Sequence, residues 1–205
     1  MTFKDLPFLI NPRLRLSSPY LRVEWIAIDL SLLEHEAGFP SPNREVYLFQ
    51  KRPGILRETG PDTLRFYYSD STDFNRLGIQ QWLRGQIKEF VEQVASAVLP
   101  VRLHELEREK KLHCRNVSVE TLPKDILGQC SSLKDITLSP KLALFPKRMS
   151  DAVMLHELAH LRHLNHRKGF WAYLSVLLGE DANEEKFKSD IAYCEHRDMI
   201  DFLLK

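Results

Sequence analysis

Val153-Met-Leu-His-Glu-Leu-Ala-His-Leu-Arg-His-Leu-Asn-His166 is the stretch on which the reading of this chain turns. His156 and His160 are four residues apart, so on a helix they lie one turn apart on one face, and their imidazoles can converge on a single metal ion. Glu157 follows the first histidine directly. From there its carboxylate reaches a water held by the metal without being a ligand, the position that suits a general base. Met154, Leu155, Leu158, Ala159, Leu161 and Leu164 are apolar, which predicts a buried helix. Buried imidazoles need partners, and one metal ion satisfies both at once. The competing reading is a pair of ordinary buried or surface histidines.

A catalytic zinc site takes three protein ligands and keeps a fourth position open. His163 and His166 are the near candidates. On a straight helix His163 would stand about 10 Å along the axis from His156, too far for two bonds of about 2 Å to one ion. It is expected to pack or hydrogen-bond behind the ligands. Asn165 is a poor helix former, and a chain turning there could carry His166 back to the ion. The metal set predicted from spacing is therefore His156, His160 and His166, with Glu157 as the catalytic residue and one Zn2+ per chain.

Working outward, the rest of the chain reads as the support of that helix. Residues 1–72 are rich in aromatic and β-branched residues and punctuated by proline and glycine, which predicts short strands. Candidate strands are Tyr20 to Leu30, Glu45 to Gln50 and Thr63 to Tyr68, with Ser31 to Ala37 a possible helical turn. His35 is a lone histidine there. From Asp73 the apolar period becomes helical, giving a helix from about Phe74 to Leu99 that Pro100 ends or kinks. A second, charged helical stretch follows from Val101 to about His113. Asn116–Thr121 and Asp135–Leu138 are strand-like, and Ser150 is a possible N-cap for the metal helix. A strand paired beside that helix would bring a sheet edge to the site, able to hold an extended peptide by main-chain hydrogen bonds. After it, Gly169–Leu178 is an apolar helix. Residues 181–205 form a last amphipathic one, with Phe187, Ile191, Met199, Phe202 and Leu203 expected inward. The predicted division is a β-rich part, 1–72, and a domain at 73–205, the two forming one compact unit.

At 205 residues the chain can bury a real core, and a net charge of +1 gives no electrostatic preference for nucleic acid. Cys114, Cys130 and Cys194 are an odd number without paired spacing, which argues against a disulfide framework and for a reducing compartment. No run approaches the roughly 18 apolar residues of a membrane span, and the N-terminus has no signal-like segment. The expected location is the cytoplasm.

With these residues in view, the second half resembles the YgjP-like metallopeptidase family. The resemblance rests on Leu127-Gly-Gln-Cys-Ser131, Ile136-Thr-Leu-Ser-Pro140, Leu142–Pro146, His156–His160 and Asn165-His-Arg-Lys-Gly-Phe-Trp171, in that order, and covers about residues 115–175. The N-terminal half resembles the family only in having strands followed by a helix. Leu127 and Gln129 replace the family's usual Trp and Ser. The resemblance implies an α+β, zincin-like fold, with the active-site helix packed on a small sheet and a β-rich N-terminal part. It also implies kinship with the SprT and Wss1 peptidase groups and gives His166 the third-ligand role.

The spacing from His160 to His166 equals that of the metzincins, but His163 stands where those have a glycine, and a residue with a side chain adopts positive φ only at a cost. The metzincin reading therefore ranks lower. The function expected is a zinc-dependent peptidase acting on peptide or protein. Its rival is a non-catalytic metal-binding or protein-interaction module, which would have no use for Glu157. A peptidase working on DNA-bound proteins would want a basic tail or zinc-finger spacing, and neither is present. Tyr173, Tyr193 and His196 are candidates to stabilise the oxyanion.

Overall fold

The computed structural model describes residues 8–205, and of Phe187 and Ala192 only the backbone. By internal contacts the chain divides into one unit of residues 1–90 with 202–205 and another of residues 91–201.

The first unit is built on a five-stranded sheet. In chain order its strands are β1 (Leu16–Ser17), β2 (Arg22–Ala27), β3 (Arg44–Phe49), β4 (Arg52–Thr59) and β5 (Thr63–Tyr68), arranged β1-β2-β5-β4-β3. β2 and β5 run parallel and the other neighbours antiparallel. Helix α1 (Leu30–Ala37) lies in the crossover from β2 and buries Leu33. Ile55, Leu56, Leu64 and Phe66 form the core of the sheet. β4 contradicts the reading of Pro53 and Gly54 as loop punctuation. Pro53 pairs with Leu48 where the register shifts after Tyr47, and at such an irregularity the ladder tolerates a residue without an N–H.

Helix α2 (Leu77–Lys110) is a single helix of 34 residues. Pro100 does not end it. The proline removes one backbone donor, but Leu99 and Leu103 beside it are fully buried and Leu106 nearly so, and packing of that kind outweighs a local penalty of about 3 kcal/mol. Lys111, at φ 54°, leaves the helix.

The second unit contains a three-stranded sheet, β6 (Asn116–Val119), β7 (Gly128–Cys130) and β8 (Asp135–Leu138), in the order β6-β8-β7. β8 is central, with Ile136 and Leu138 fully buried. β6 runs parallel to it and β7 antiparallel, which leaves β7 an edge. A 3-10 turn, Pro140–Leu144, then leads into α3 (Lys147–Ala159), α4 (Lys168–Leu178) and α5 (Ala182–Leu204). The architecture is α+β with a β-rich N-terminal part, and α3 packs on β7 and β8.

Helix α3 starts three residues before Ser150, with Pro146 at its N-cap. Ser150 is not the cap; its hydroxyl is buried inside the helix and donates to the Leu142 carbonyl at 2.8 Å. Arg102 of α2 grips Asp151 with two hydrogen bonds of 2.8 and 2.9 Å, and Lys147 adds a third. Burial alone would raise the Asp151 pKa, but the bonds from Arg102 and Lys147 outweigh it and hold the carboxyl below its usual range. On α5, Phe202 and Leu203 are buried, whereas Ile191 is 47% exposed, contrary to expectation. Tyr193, two residues on, takes the inward position instead. The Phe187 side chain lies outside the described residues.

Candidate metal centre

Three imidazoles meet at the C-terminal end of α3. One ligand atom from each of His156, His160 and His166 falls within 4.8 Å of the others, and Nε2 of His156 stands 2.9 Å from Nε2 of His166. Among the described residues this is the one histidine, cysteine and carboxylate cluster compact enough for a metal ion. A tetrahedral ion with Zn–N bonds of about 2.0–2.1 Å needs nitrogens somewhat more than 3 Å apart, so the three donors fit such an ion with small adjustments.

The chain brings His166 back by ending the helix earlier than Asn165. His160 is already the C-cap, and short-range bonds Leu161 to Leu158, Arg162 to Ala159 and His163 to Ala159 tighten the chain into turns. No residue of this turn has positive φ, so His163 needs no glycine-like conformation. Nδ1 of His160 donates to the His163 carbonyl at 2.9 Å, which fixes the tautomer and leaves Nε2 free to bind a metal. His163 thus serves the cluster through its backbone, while its own ring packs on Tyr173. Trp171 Nε1 donates to the His166 carbonyl at 3.0 Å and anchors the returning segment.

Phe170 supports all three rings. It is fully buried, with its centroid 4.8 Å from that of His156 and 4.6 Å from those of His160 and His166. The apolar run Gly169–Leu178 marks Phe170 as a residue packing toward the metal helix, but no spacing in the sequence places its ring beneath all three imidazoles. Phe170→Ala is expected to destabilise the fold by about 3–5 kcal/mol and to weaken metal binding by loosening the rings, which thermal denaturation and zinc titration together would read.

Burial pushes the His156 pKa down to about 3, with His160 and His166 adding to the effect, and burial followed by His160 also lowers that of His166. Both imidazoles are therefore neutral, with lone pairs to give. Burial pushes Glu157, 5% exposed, up to about 8. A dication beside it would act in the opposite sense.

These groups line a cleft of about 580 Å³. One wall is the edge strand β7. The register pairs Gly128 with Leu138 and Gln129 with Thr137, and the flanking bonds Ser139 to Leu127 and Ser131 to Asp135 set which residues face the ladder. By antiparallel alternation, Gly128 and Cys130 turn their backbone N–H and C=O groups away from β8, to the open edge. The Cys130 thiol, pushed up to about 11 by burial and then by Glu157, is a neutral part of this wall.

Gly128 lets the strand approach the carboxylate. A Cβ there would lie 2.8 Å from Glu157 Cγ and 3.0 Å from Oε1. Gly128→Ala is expected to displace Glu157 and lower kcat by tenfold or more with metal content unchanged, a pair of measurements that separates misplacement from loss of the ion. Of the three oxyanion candidates, Tyr193 lines the cleft, its hydroxyl 3.3 Å from Asp125 Oδ1 and pushed up to about 12, burial first. Tyr173 packs on His163 and under Arg162, and neither Tyr173 nor His196 lines the cleft.

The family model for the YgjP-like metallopeptidase domain matches residues 23–186. The match extends well beyond residues 115–175 and takes in strands of the N-terminal sheet. No curated protein and no solved structure matches the chain.

Proposed function

Because the chain belongs to the YgjP-like metallopeptidase family, we propose that it is a zinc-dependent peptidase in which His156, His160 and His166 hold one ion and Glu157 is the general base. The observation that carries the reading is the meeting of three imidazoles beside a buried carboxylate, in a cleft bordered by an open strand edge. Zinc suits imidazole donors, and in that place it would supply Lewis acidity to a scissile carbonyl and lower the pKa of a water toward about 7.

The protein's own groups do the rest. Gly128 and Cys130 offer main-chain donors and acceptors to an extended peptide, aligning it along β7 as an added strand. The carboxylate of Glu157, pressed against the same strand at Gly128, takes a proton from the attacking water and returns it to the leaving amine. The apolar surroundings of Glu157 favour that exchange, since a carboxyl whose pKa lies nearer neutrality both accepts and releases a proton readily. The His163 carbonyl and the Phe170 ring keep the imidazoles in register. No helix among the described residues is long and apolar enough to cross a membrane. The three unpaired cysteines support a reducing, cytoplasmic setting.

The test is metal content by elemental analysis together with cleavage of a broad peptide library by the zinc-loaded protein. About one ion per chain and discrete cuts are expected. A metal-loaded protein that cuts nothing, in the library or among unfolded proteins, would leave the non-catalytic binding module as the reading.

A further inference from the structure

The cleft continues away from the histidines along α3. Its wall there is apolar, formed by Met149, Ala152 and Val153 of α3, Leu174 and Leu178 of α4, and Ala182 of α5. Met149 precedes His156 by seven residues on the same helix face, about 10 Å along the axis. One carboxylate, Glu185, also forms part of this wall, although it is only 4% exposed.

The two oxygens of Glu185 have different surroundings. Oε2 accepts a bond of 2.7 Å from Arg148, and Oε1 one of 3.2 Å from the Ser189 hydroxyl. Ser189 lines the cleft, whereas Arg148 lines a separate cavity of about 380 Å³. Glu185 itself lines both, so its carboxyl stands between the cleft and that cavity, with Ser189 as its partner from the cleft lining. Arg148 also binds Glu180, at 2.7 Å, so one guanidinium is shared by two carboxylates and negative charge remains.

Among the side chains that line the cleft, the remaining charges do not cancel it. Besides Glu157, the cleft is lined by Asp125, Glu185 and Asp190, against a single ammonium, Lys186, which already pairs with Asp190. Asp125 has Arg197 at 3.9 Å. An apolar passage with a buried carboxylate in its wall matches a long side chain ending in a cation: the methylenes lie on Leu174, Leu178 and Met149, and the head meets the carboxylate.

We infer that the cleft selects substrates carrying a lysine or arginine beside the scissile bond, received by Glu185 and Ser189. The inference rests on the peptidase function proposed above. Glu185 is a specificity-determining residue, and Arg148 holds it in place from the far side.

The experiment uses the full-length, zinc-loaded protein and N-acetylated peptides, whose capped termini leave the side chains as the source of positive charge. Peptides with lysine, arginine, norleucine or glutamate at each position in turn would be compared by kcat/KM. Lysine and arginine are expected to exceed norleucine by about tenfold or more at one position, and Glu185→Gln to bring that ratio close to one. Calorimetric binding of the lysine and norleucine peptides to Glu157→Gln should give the same preference without turnover.

Glutamine keeps the volume of Glu185 and an acceptor for Arg148; a melting temperature near the wild type's shows that the wall is intact. Should that variant not fold, Ser189→Ala is the second probe, expected to reduce the ratio by severalfold. A wild type indifferent to lysine and arginine, or a preference that survives in Glu185→Gln, overturns the inference. If no peptide is cut at all, the peptidase function fails, and the binding ratio still decides whether the passage takes a cation.

Discussion

Glu157→Gln is expected to lower peptide hydrolysis by about a hundredfold to ten-thousandfold while leaving the metal and the fold in place. Glu157 adjoins His156 in sequence but is not among the three converging donors. Its carboxyl is 5% exposed and packed against Gly128, so the amide of glutamine occupies the same space with little rearrangement. What the amide lacks is the ability to accept a proton. Metal content by elemental analysis and melting temperature should therefore match the wild type, with kcat alone collapsing. A Glu157→Gln protein that cuts as well as the wild type would remove Glu157 from the mechanism.

Replacing a ligand is expected to act differently, because stability falls together with activity. His156→Ala or His166→Ala should release the ion and abolish turnover. A ligand that binds only the folded state adds about 2.7 kcal/mol at a hundred times its dissociation constant. For a chain of this size that corresponds to roughly 5–10 °C in melting temperature. The zinc-dependent part of the wild-type melting temperature should disappear in these variants, and a chelator should lower the wild type while leaving them unmoved. His163→Ala provides the contrast. Its side chain packs on Tyr173, and the group that orients His160 is the backbone carbonyl, which alanine retains. It should bind zinc far more tightly than His166→Ala does. An empty site in His163→Ala with a filled one in His166→Ala would reverse the ligand assignment.

Phe170 and Glu157 are enclosed, so a change there has nowhere to relax, whereas His163 is half-buried and its ring is not one of the three that converge.

The sequence carried the site further than it carried the framework. The four-residue spacing of His156 and His160 defines one helix face by geometry alone, and the six residues from His160 to His166 are enough for a return. Strand β5 was legible from its aromatic residues and the span of α5 from its length of helical composition, although the inward face of α5 was misread at Ile191. Strand β4 was hidden by Pro53 and Gly54, since local propensity cannot register a bulge opposite Leu48 that accommodates a proline. The continuity of α2 through Pro100 was hidden for a related reason: the penalty is local, whereas the full burial of Leu99 and Leu103 that offsets it is a property of the folded chain.

The amino-acid order by itself determined which residues could hold a metal, which carboxylate stood beside them, and that a helix followed by a sharp return would join them. The helix stops at His160, whose Nδ1 donates to the His163 carbonyl three residues on, and the other contacts of the site were decided by tertiary structure. It alone put Phe170 beneath all three rings and Gly128 against Glu157. It alone gathered Glu185 and Ser189 of α5 into the cleft that α3 and β7 border. Spacing fixes relations within one helix, where the backbone geometry is repeated; contacts between elements depend on how apolar faces pack in three dimensions, and no local period encodes them.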